Sequence, residues 1–330
     1  MVITGATSGI GLVTSRMAAD RGAKLVLAAR NSEALHKLVG EIATNGGKAI
    51  PVPADVGKEG DVKRIAAEAL NAFGTIDTWV NNAGISIYGM MEDVSTDDFR
   101  QHIETNVWGV VYGSLVAARN LKQFGGAIIN IGSTLSDRAI PLQGMYCASK
   151  HAVKGFTEAL RMELEAEGAP ISVSLVKPSA IDTPYKDHAK NYLPVEPTNP
   201  APVYAPVTVA ETILHCAENP VRDIFVGAGG KLIAAAGEYA PRATDVYMEN
   251  YMIEAQKTDQ PSNMRSKESL WDAPDASLSE RGGYNGHVAE SSLYTKAALH
   301  PAITSSVTAG AALAIGAGLA YSIARRNHEH

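Results

Sequence analysis

A doubly wound parallel α/β sheet is predicted by three features of the sequence. Short runs rich in Val, Ile and Leu alternate with helical patterns, the runs are apolar throughout rather than at every second residue, and the first run passes through a glycine-rich turn straight into a helix. A strand buried on both faces loses the in-out alternation of a half-exposed one, so this pattern indicates a parallel sheet covered on both sides. The right-handed crossover rule then fixes the winding.

The elements follow in order. The first strand, MVIT, is shorter than the usual five or six residues, because Met1 stands so close to Gly5; either the natural start lies upstream or the strand is clipped. Then come KLVLAA, the helical SEALHKLVGEIATN, KAIPV, a helix over 59–73, TIDTWV, a long helical stretch ending near Phe124, and GAIINI. The helical MYCASKHAVKGFTEALRMELEAEG, then ISVSLV (171–176) and DIFVG (223–227), complete a sheet of about seven strands within a first domain, 1–229. A helical extension is expected over 230–257. A polar linker over 258–295 follows, rich in Ser, Asp, Glu, Gly and Pro, and then an apolar tail over 296–330. No internal repeat is visible.

Composition narrows the function. With 330 residues, 45% apolar and 19% charged, the chain can build one large domain with appendages, or two domains. A net charge of -6 without a basic run argues against a nucleic-acid surface, which needs clustered Lys and Arg. Cys147 and Cys216 make neither a disulfide framework nor a metal site, and no secretory signal precedes the first strand, so a reducing, cytosolic compartment is expected. His102, His151, His188 and His215 follow no ligand spacing and read as structural or surface residues; no metal is expected.

In MVITGATSGIGLVTSRMAADRG, Gly5, Gly9 and Gly11 lie between the first strand and the first helix, with Thr7, Ser8 and Ile10 among them. Glycines there turn tightly, let backbone approach a pyrophosphate and pack helix on strand, while the helix N-terminus offers unpaired N–H groups to the anion. About twenty residues on, where an acid would favour the unphosphorylated dinucleotide, the second strand ends in LAARN. Ala29 carries no carboxylate there, and the Arg30 guanidinium can grip a 2′-phosphate, so NADP(H) is the expected cofactor. The competing reading of Arg30 is a solvated strand end.

YCASK sets Tyr146 and Lys150 four residues apart, one helical turn, on one face of a helix. On an arbitrary helix this would be a surface pair. Here Ser133 precedes it at the end of the fifth strand, Asn106 interrupts the long helix in HIETNVWGV, and NNAG (81–84) and Asp55–Val56 complete a constellation.

The set TGATSGIG, Asp55, NNAG, Asn106, Ser133, YCASK and PSAIDT, in this order and spacing, resembles the short-chain dehydrogenase/reductase family over residues 1 to about 229. The resemblance implies a Rossmann fold and a hydride transfer between nicotinamide and a carbonyl or secondary alcohol. It implies Tyr146 as general acid or base, with Lys150 holding the nicotinamide ribose and depressing the phenol's pKa. Ser133 would hydrogen-bond the substrate oxygen, and Asn106 would position a water relaying protons by way of Lys150. Asp55 and Val56 would meet the adenine, Asn82, Ala83 and Gly84 would brace the cleft, and Pro178 and Thr183 would adjoin the nicotinamide, Thr183 at its carboxamide. Two departures are noted: Gly132–Ser133 replaces a pair of serines, and Ser179 rather than Gly follows Pro178.

The rival reading is a non-catalytic NADP(H)-binding redox sensor or scaffold acting through its C-terminal extension; the complete Asn106, Ser133, Tyr146, Lys150 set favours an enzyme. The segment 185–211, Pro-rich with Tyr185, Tyr192 and Tyr204, reads as a lid over a hydrophobic pocket, and so the expected partner is a lipophilic small-molecule carbonyl or alcohol. A homo-oligomer is also expected. The stretch 302–324 carries no charge and would span about 30 Å as a helix. Its Ala312, Gly316 and Ala320 ridge suits close helix contact, with a membrane or with another copy, although its hydrophobicity is modest and Arg325 and Arg326 follow it.

Overall fold

The computed structural model describes residues 1–262, 269–273 and 277–300. Seven parallel strands form the central sheet: β1 (Val2–Thr4), β2 (Lys24–Ala29), β3 (Lys48–Pro53), β4 (Thr78–Asn81), β5 (Gly126–Ile131), β6 (Ile171–Pro178) and β7 (Asp223–Val226). Their order is β3-β2-β1-β4-β5-β6-β7. The chain winds outward in one direction from β1 and in the other from β4, so a crevice opens between their carboxyl ends. The three-residue β1 is pinned on both sides, Ile3 lying opposite Leu27 of β2 and Val80 of β4.

Helices α1 (Gly9–Asp20), α2 (Ser32–Thr44) and α7 (Pro206–Glu218) cover one face; α3 (Glu59–Phe73), α5 (Gly109–Leu121) and α6 (Gly144–Ala166) cover the other. Successive strand residues feed opposite layers. Ile3, Leu25, Leu27 and Ile129 pack with Leu12, Leu35 and Ile213, whereas Val2, Val26, Ile128 and Trp79 pack with Ile65, Leu160 and Leu164. That is why the strands read as unbroken apolar runs. The core also holds a polar cluster: Asn81 donates to Asn130 Oδ1 (2.8 Å) and Ser114 Oγ (3.0 Å) and accepts from Trp79 Nε1 (2.8 Å), and Asn130 donates to Thr157 (2.9 Å). Such a group is tolerable only when its hydrogen bonds are made, and here they lock β4 to β5 in one register.

One expectation needs correction. The segment 185–211 is not all lid: from Pro206, at the first turn of α7, it is helix, and Val209 and Ala210 are fully buried. Of its tyrosines only Tyr185 lines the cavity at the carboxyl ends of the strands; Tyr192 donates to Asp98 (2.5 Å) and Tyr204 is in the core. The long helix before Phe124 is α4 (Thr96–Ile103) and α5 joined by a π-helical turn, Glu104–Trp108, centred on Asn106.

Beyond β7 the chain forms α8 (Ala228–Tyr239) and α9 (Pro241–Tyr247). The described residues of 258–295 lie against the domain. Lys257–Pro261 pairs antiparallel with Val195–Pro197, and Val288–Ala289 pairs parallel with Val203–Tyr204, itself beside Ala180–Ile181. Asp182 Oδ1 accepts from the N–H groups of Gly282 and Tyr284 (both 3.1 Å), and Arg16 pairs with Glu280 (2.6 Å). Backbone pairing and charge, with Leu270 and Leu278 as isolated apolar anchors, hold this stretch, which is why a composition poor in aliphatics still docks. Among the described residues no helix is long and apolar enough to cross a membrane, and the candidate helix 302–324 lies outside them.

Gly11 is among the tightest positions of the fold, and its nearest neighbour is backbone. A Cβ there would stand 2.6 Å from the Asn82 amide nitrogen and closer still to the Gly5 carbonyl oxygen. Gly11→Ala is therefore expected to cost about 1–3 kcal/mol in urea unfolding. Gly40→Ala, inside α2 with nothing within 4 Å of the added carbon, should instead stabilise by about 0.5–1 kcal/mol. Equal effects at the two sites would remove the packing argument.

Candidate active site

The carboxyl ends of β1, β4, β5 and β6 open into one long cleft. Its first half is lined by Gly5, Thr7, Ser8, Gly9, Ile10, Arg30, Asp55, Val56, Asn82, Ala83 and Gly84; its second half by Ser133, Tyr146, Lys150, Pro178 and Thr183, with Ile10, Asn82, Gly84, Thr183 and Tyr185 common to both. Two predicted residues stand behind the wall: Gly11, packed on Gly5, and Asn106, fully buried.

The glycine loop leaves β1 with Gly5 at φ 65° and Gly9 at φ 50°, in the left-handed region. Asn82 fixes it, donating to the carbonyls of Thr4 (2.9 Å) and Gly5 (3.1 Å), while Thr4 Oγ1 accepts from the N–H groups of Asn82 and Ala83 (both 3.1 Å). Ser8 precedes α1 in extended backbone, yet its hydroxyl makes no capping bond. A helix start with an uncommitted hydroxyl, opening on a cleft that also holds a lysine, suits the phosphates and ribose of a dinucleotide.

Arg30 is no solvated strand end. Its guanidinium donates to the main-chain carbonyls of Ser269, Leu270 (3.4 Å) and Trp271 (3.5 Å). Burial lowers its pKa, opposed by the carboxylates of Asp55 and Asp272. Asp55 itself accepts from Gly57 N–H (3.0 Å), which shapes the turn after β3.

Helix α6 delivers Tyr146 and Lys150 to the second half of the cleft, Lys150 Nζ lying 5.5 Å from the centre of the Tyr146 ring and donating to the Ile131 carbonyl (2.8 Å). Ser133 caps a short 3-10 turn, Thr134–Ser136: its Oγ accepts from Leu135 N–H (3.0 Å), and its own N–H donates to Ser136 Oγ (3.1 Å). Asn106 Oδ1 accepts from Ile85 N–H (2.9 Å), and Nδ2 donates to the Ile85 carbonyl (2.9 Å), His102 Nε2 (3.0 Å) and Ser149 Oγ (3.3 Å). With its amide so occupied, the Asn106 side chain clamps the loop after β4.

Burial dominates the electrostatics of the Tyr146–Lys150 pair. Burial pushes Tyr146 up to about 12, hydrogen bonds from Tyr185 and Ser133 pulling it partly back, while burial alone brings Lys150 down to about 8. Desolvation penalises each charged form and is the leading cause of both shifts. His102 is likewise pressed to about 3, chiefly by burial, and is neutral. Cys147, raised to about 11 mainly by burial, packs with Ile140 and Met248 as an inert thiol.

Sequence reasoning missed several residues. Gln143, 5% exposed, lines the cavity and donates to Gln256 Oε1 (2.7 Å); Gln256 in turn donates to the Pro141 and Met252 carbonyls (3.1 and 2.8 Å). Leu142, just before it, holds φ 65°, a strained conformation for a residue with a side chain. Tyr185 was legible as a lid residue but not as a hydrogen-bond donor to Tyr146. Leu135, Ile140, Ile233 and Met252 supply the apolar lining, the last two from beyond β7.

The lowered Lys150 is directly measurable. In 13C-lysine NMR one ammonium should titrate near pH 8, below the rest, and its signal should vanish in Lys150→Met. A spectrum in which every lysine titrates near the ordinary 10.4 would contradict the burial argument.

Comparison with known proteins agrees with this geometry. Residues 1–192 match the family model described as short chain dehydrogenase. The chain is 48% identical over 313 residues to the uncharacterized oxidoreductase YxnA of Bacillus subtilis (strain 168), covering 94% of this chain and 88% of that one. An alcohol dehydrogenase from Thermococcus sibiricus, complexed with 5-hydroxy-NADP, superposes with a TM-score of 0.61 at 27% identity, over 68% of this chain and 94% of that one. A short chain dehydrogenase/reductase from Burkholderia phymatum, in complex with NAD, gives 0.62 at 27% identity, over 79% and 96%. Family match, sheet order and cleft converge on a hydride-transferring oxidoreductase with a nicotinamide cofactor and a small-molecule substrate: the chain belongs to the short-chain dehydrogenase/reductase family.

Proposed function

We propose that the protein is an NADP(H)-dependent oxidoreductase that interconverts a carbonyl and a secondary alcohol on a lipophilic substrate. The observation that carries this reading is the convergence of Ser133, Tyr146 and Lys150 on one cavity that Leu135, Ile140, Ile233 and Met252 line beside Tyr88 and Tyr247, with Gln143 and Asn199 as further polar groups. Gly5, Thr7, Ser8, Gly9, Ile10, Asn82, Ala83, Gly84, Pro178 and Thr183 would hold the cofactor along the cleft, with Asp55 and Val56 at the adenine and Arg30 at the ribose phosphate. When bound, the nicotinamide supplies the hydride in reduction or takes it in oxidation.

The chain's own groups manage the proton and the charge. In reduction, the Tyr146 phenol donates its proton to the carbonyl oxygen, and the Ser133 hydroxyl donates a hydrogen bond to the same oxygen as negative charge builds there. The resulting phenolate is disfavoured by burial, so it must be reprotonated. Lys150, whose ammonium burial makes more acidic, lines the same cavity and would return that proton to the phenolate, being itself reprotonated from solvent. A hydrogen bond from Tyr185 steadies the phenolate meanwhile, while the Ser133 hydroxyl stays on the substrate oxygen. Asn106 acts as a positioning residue, holding the Ile85 backbone and the π turn behind Lys150.

Tyr146→Phe should remove turnover of a panel of carbonyl substrates, scored by NADPH oxidation, while leaving NADPH affinity nearly intact. Lys150→Met should damage both. A Tyr146→Phe enzyme with near-normal rate would end the acid/base assignment; a wild-type chain that binds NADPH and reduces none of the panel would favour the sensor reading.

Cofactor choice is testable separately. Ala29 brings no carboxylate to the end of β2, and Arg30 faces the cleft there. Losing a charge-assisted contact should cost about 1.5–3 kcal/mol. Arg30→Ala should therefore lower the NADPH-to-NADH ratio of kcat/KM by about ten- to a hundredfold. An unchanged ratio would place the phosphate elsewhere.

A further inference from the structure

The guanidinium that would receive a 2′-phosphate already has partners, and they come from the far end of the chain. Both terminal nitrogens of Arg30 donate to main-chain carbonyls: Nη2 to Ser269, and Nη1 to Leu270 and Trp271. These nitrogens form the outer edge of the fork, the edge that pairs with phosphate oxygens. Asp272, the next residue, adds a carboxylate whose field reaches Arg30. Ser269 itself lines the cleft.

The segment is anchored independently of Arg30. Leu270 is fully buried among Ile85, Ile87 and Val94. Trp271 Nε1 donates to Asp98 Oδ1 (2.7 Å), and Ser269 donates through both its N–H (3.0 Å) and its hydroxyl (2.9 Å) to the His188 carbonyl. A dianionic phosphate and three carbonyl oxygens cannot all use the same two nitrogens, and the partial negative charges repel the phosphate as well.

We propose that Ser269–Asp272 is a second determinant of cofactor specificity, a latch that competes with the 2′-phosphate for Arg30. NADP(H) binding displaces the latch from the guanidinium, whereas NAD(H), with no phosphate there, leaves it closed. The latch thus narrows the preference for NADP(H) that Arg30 alone would confer. This rests on the reading of Arg30 as the phosphate site, and the experiment separates the two.

Dissociation constants for NADPH and NADH are measured by fluorescence titration of wild type, Arg30→Ala, Trp271→Ala and Asp272→Asn. Removing the charge of Asp272, an exposed residue outside the core, should tighten NADPH by about two- to fivefold. Freeing the Trp271 anchor should tighten it by about three- to tenfold. Neither should move NADH by as much as twofold. If Arg30→Ala weakens NADPH selectively but neither latch variant tightens it, the latch is overturned and the phosphate site stands. If Arg30→Ala leaves the NADPH-to-NADH ratio unchanged, the phosphate reading fails and takes the competition with it. In unsubstituted protein, amide hydrogen exchange across 269–273 should be faster with saturating NADPH than with saturating NADH; equal exchange overturns the latch without relying on any variant.

Discussion

The carboxamide of Asn82 is the constraint around which the cleft is built. β1 has three residues, too few to aim the loop that follows it, and Asn82 compensates by holding the carbonyls of Thr4 and Gly5 from the neighbouring strand. The same amide leaves no room for a Cβ at Gly11, so the first turn of α1 presses directly on the loop. One hydrogen-bonding side chain thereby fixes the spacing between the start of the sheet, the helix that faces phosphate and the strand across the crevice. Thr4 reinforces it from below by taking two N–H groups of the NNAG turn.

The second half of the cleft obeys a different rule, set by solvent exclusion. Burial moves the phenol and the ammonium in opposite directions because their charged forms are anion and cation, and the result orders them as acids without either group having to touch the other. The neutral His102, beside Asn106 and Ser149, extends this low-dielectric region without adding charge to it. A short-range hydrogen-bond frame thus carries one half of the site and a long-range dielectric effect the other.

The sequence made the sheet, the glycine loop and Asn106, Ser133, Tyr146 and Lys150 legible because each rests on local spacing: an apolar run, a turn, one helical repeat. What it hid depends on pairs far apart in the chain. Nothing near Arg30 announces the carbonyls of 269–271, since a backbone oxygen has no residue-type signature. Gln143 and Gln256 are ordinary amides until the fold brings them together. The polar stretch after Lys257 was read as a linker because docking by ladder bonds and ion pairs leaves no hydrophobic pattern. The sign of the Tyr146 shift was likewise invisible: proximity to a lysine can be read from spacing, but burial cannot.

The pairing of Val288–Ala289 with Val203–Tyr204, which itself lies along Ala180–Ile181, has a consequence for the order in which the molecule assembles. These contacts close very long loops and reward the chain only after the surfaces they join exist, so their closure entropy is met late. Residues 1–229 present Asp182, Arg16 and Gly227 as docking points before the returning segment can use them. During synthesis the domain emerges first and the returning segment follows. Among the described residues that line the cleft, Ser269 is the one the chain supplies last, so the nucleotide half stays open at that edge until the late part of the chain has docked.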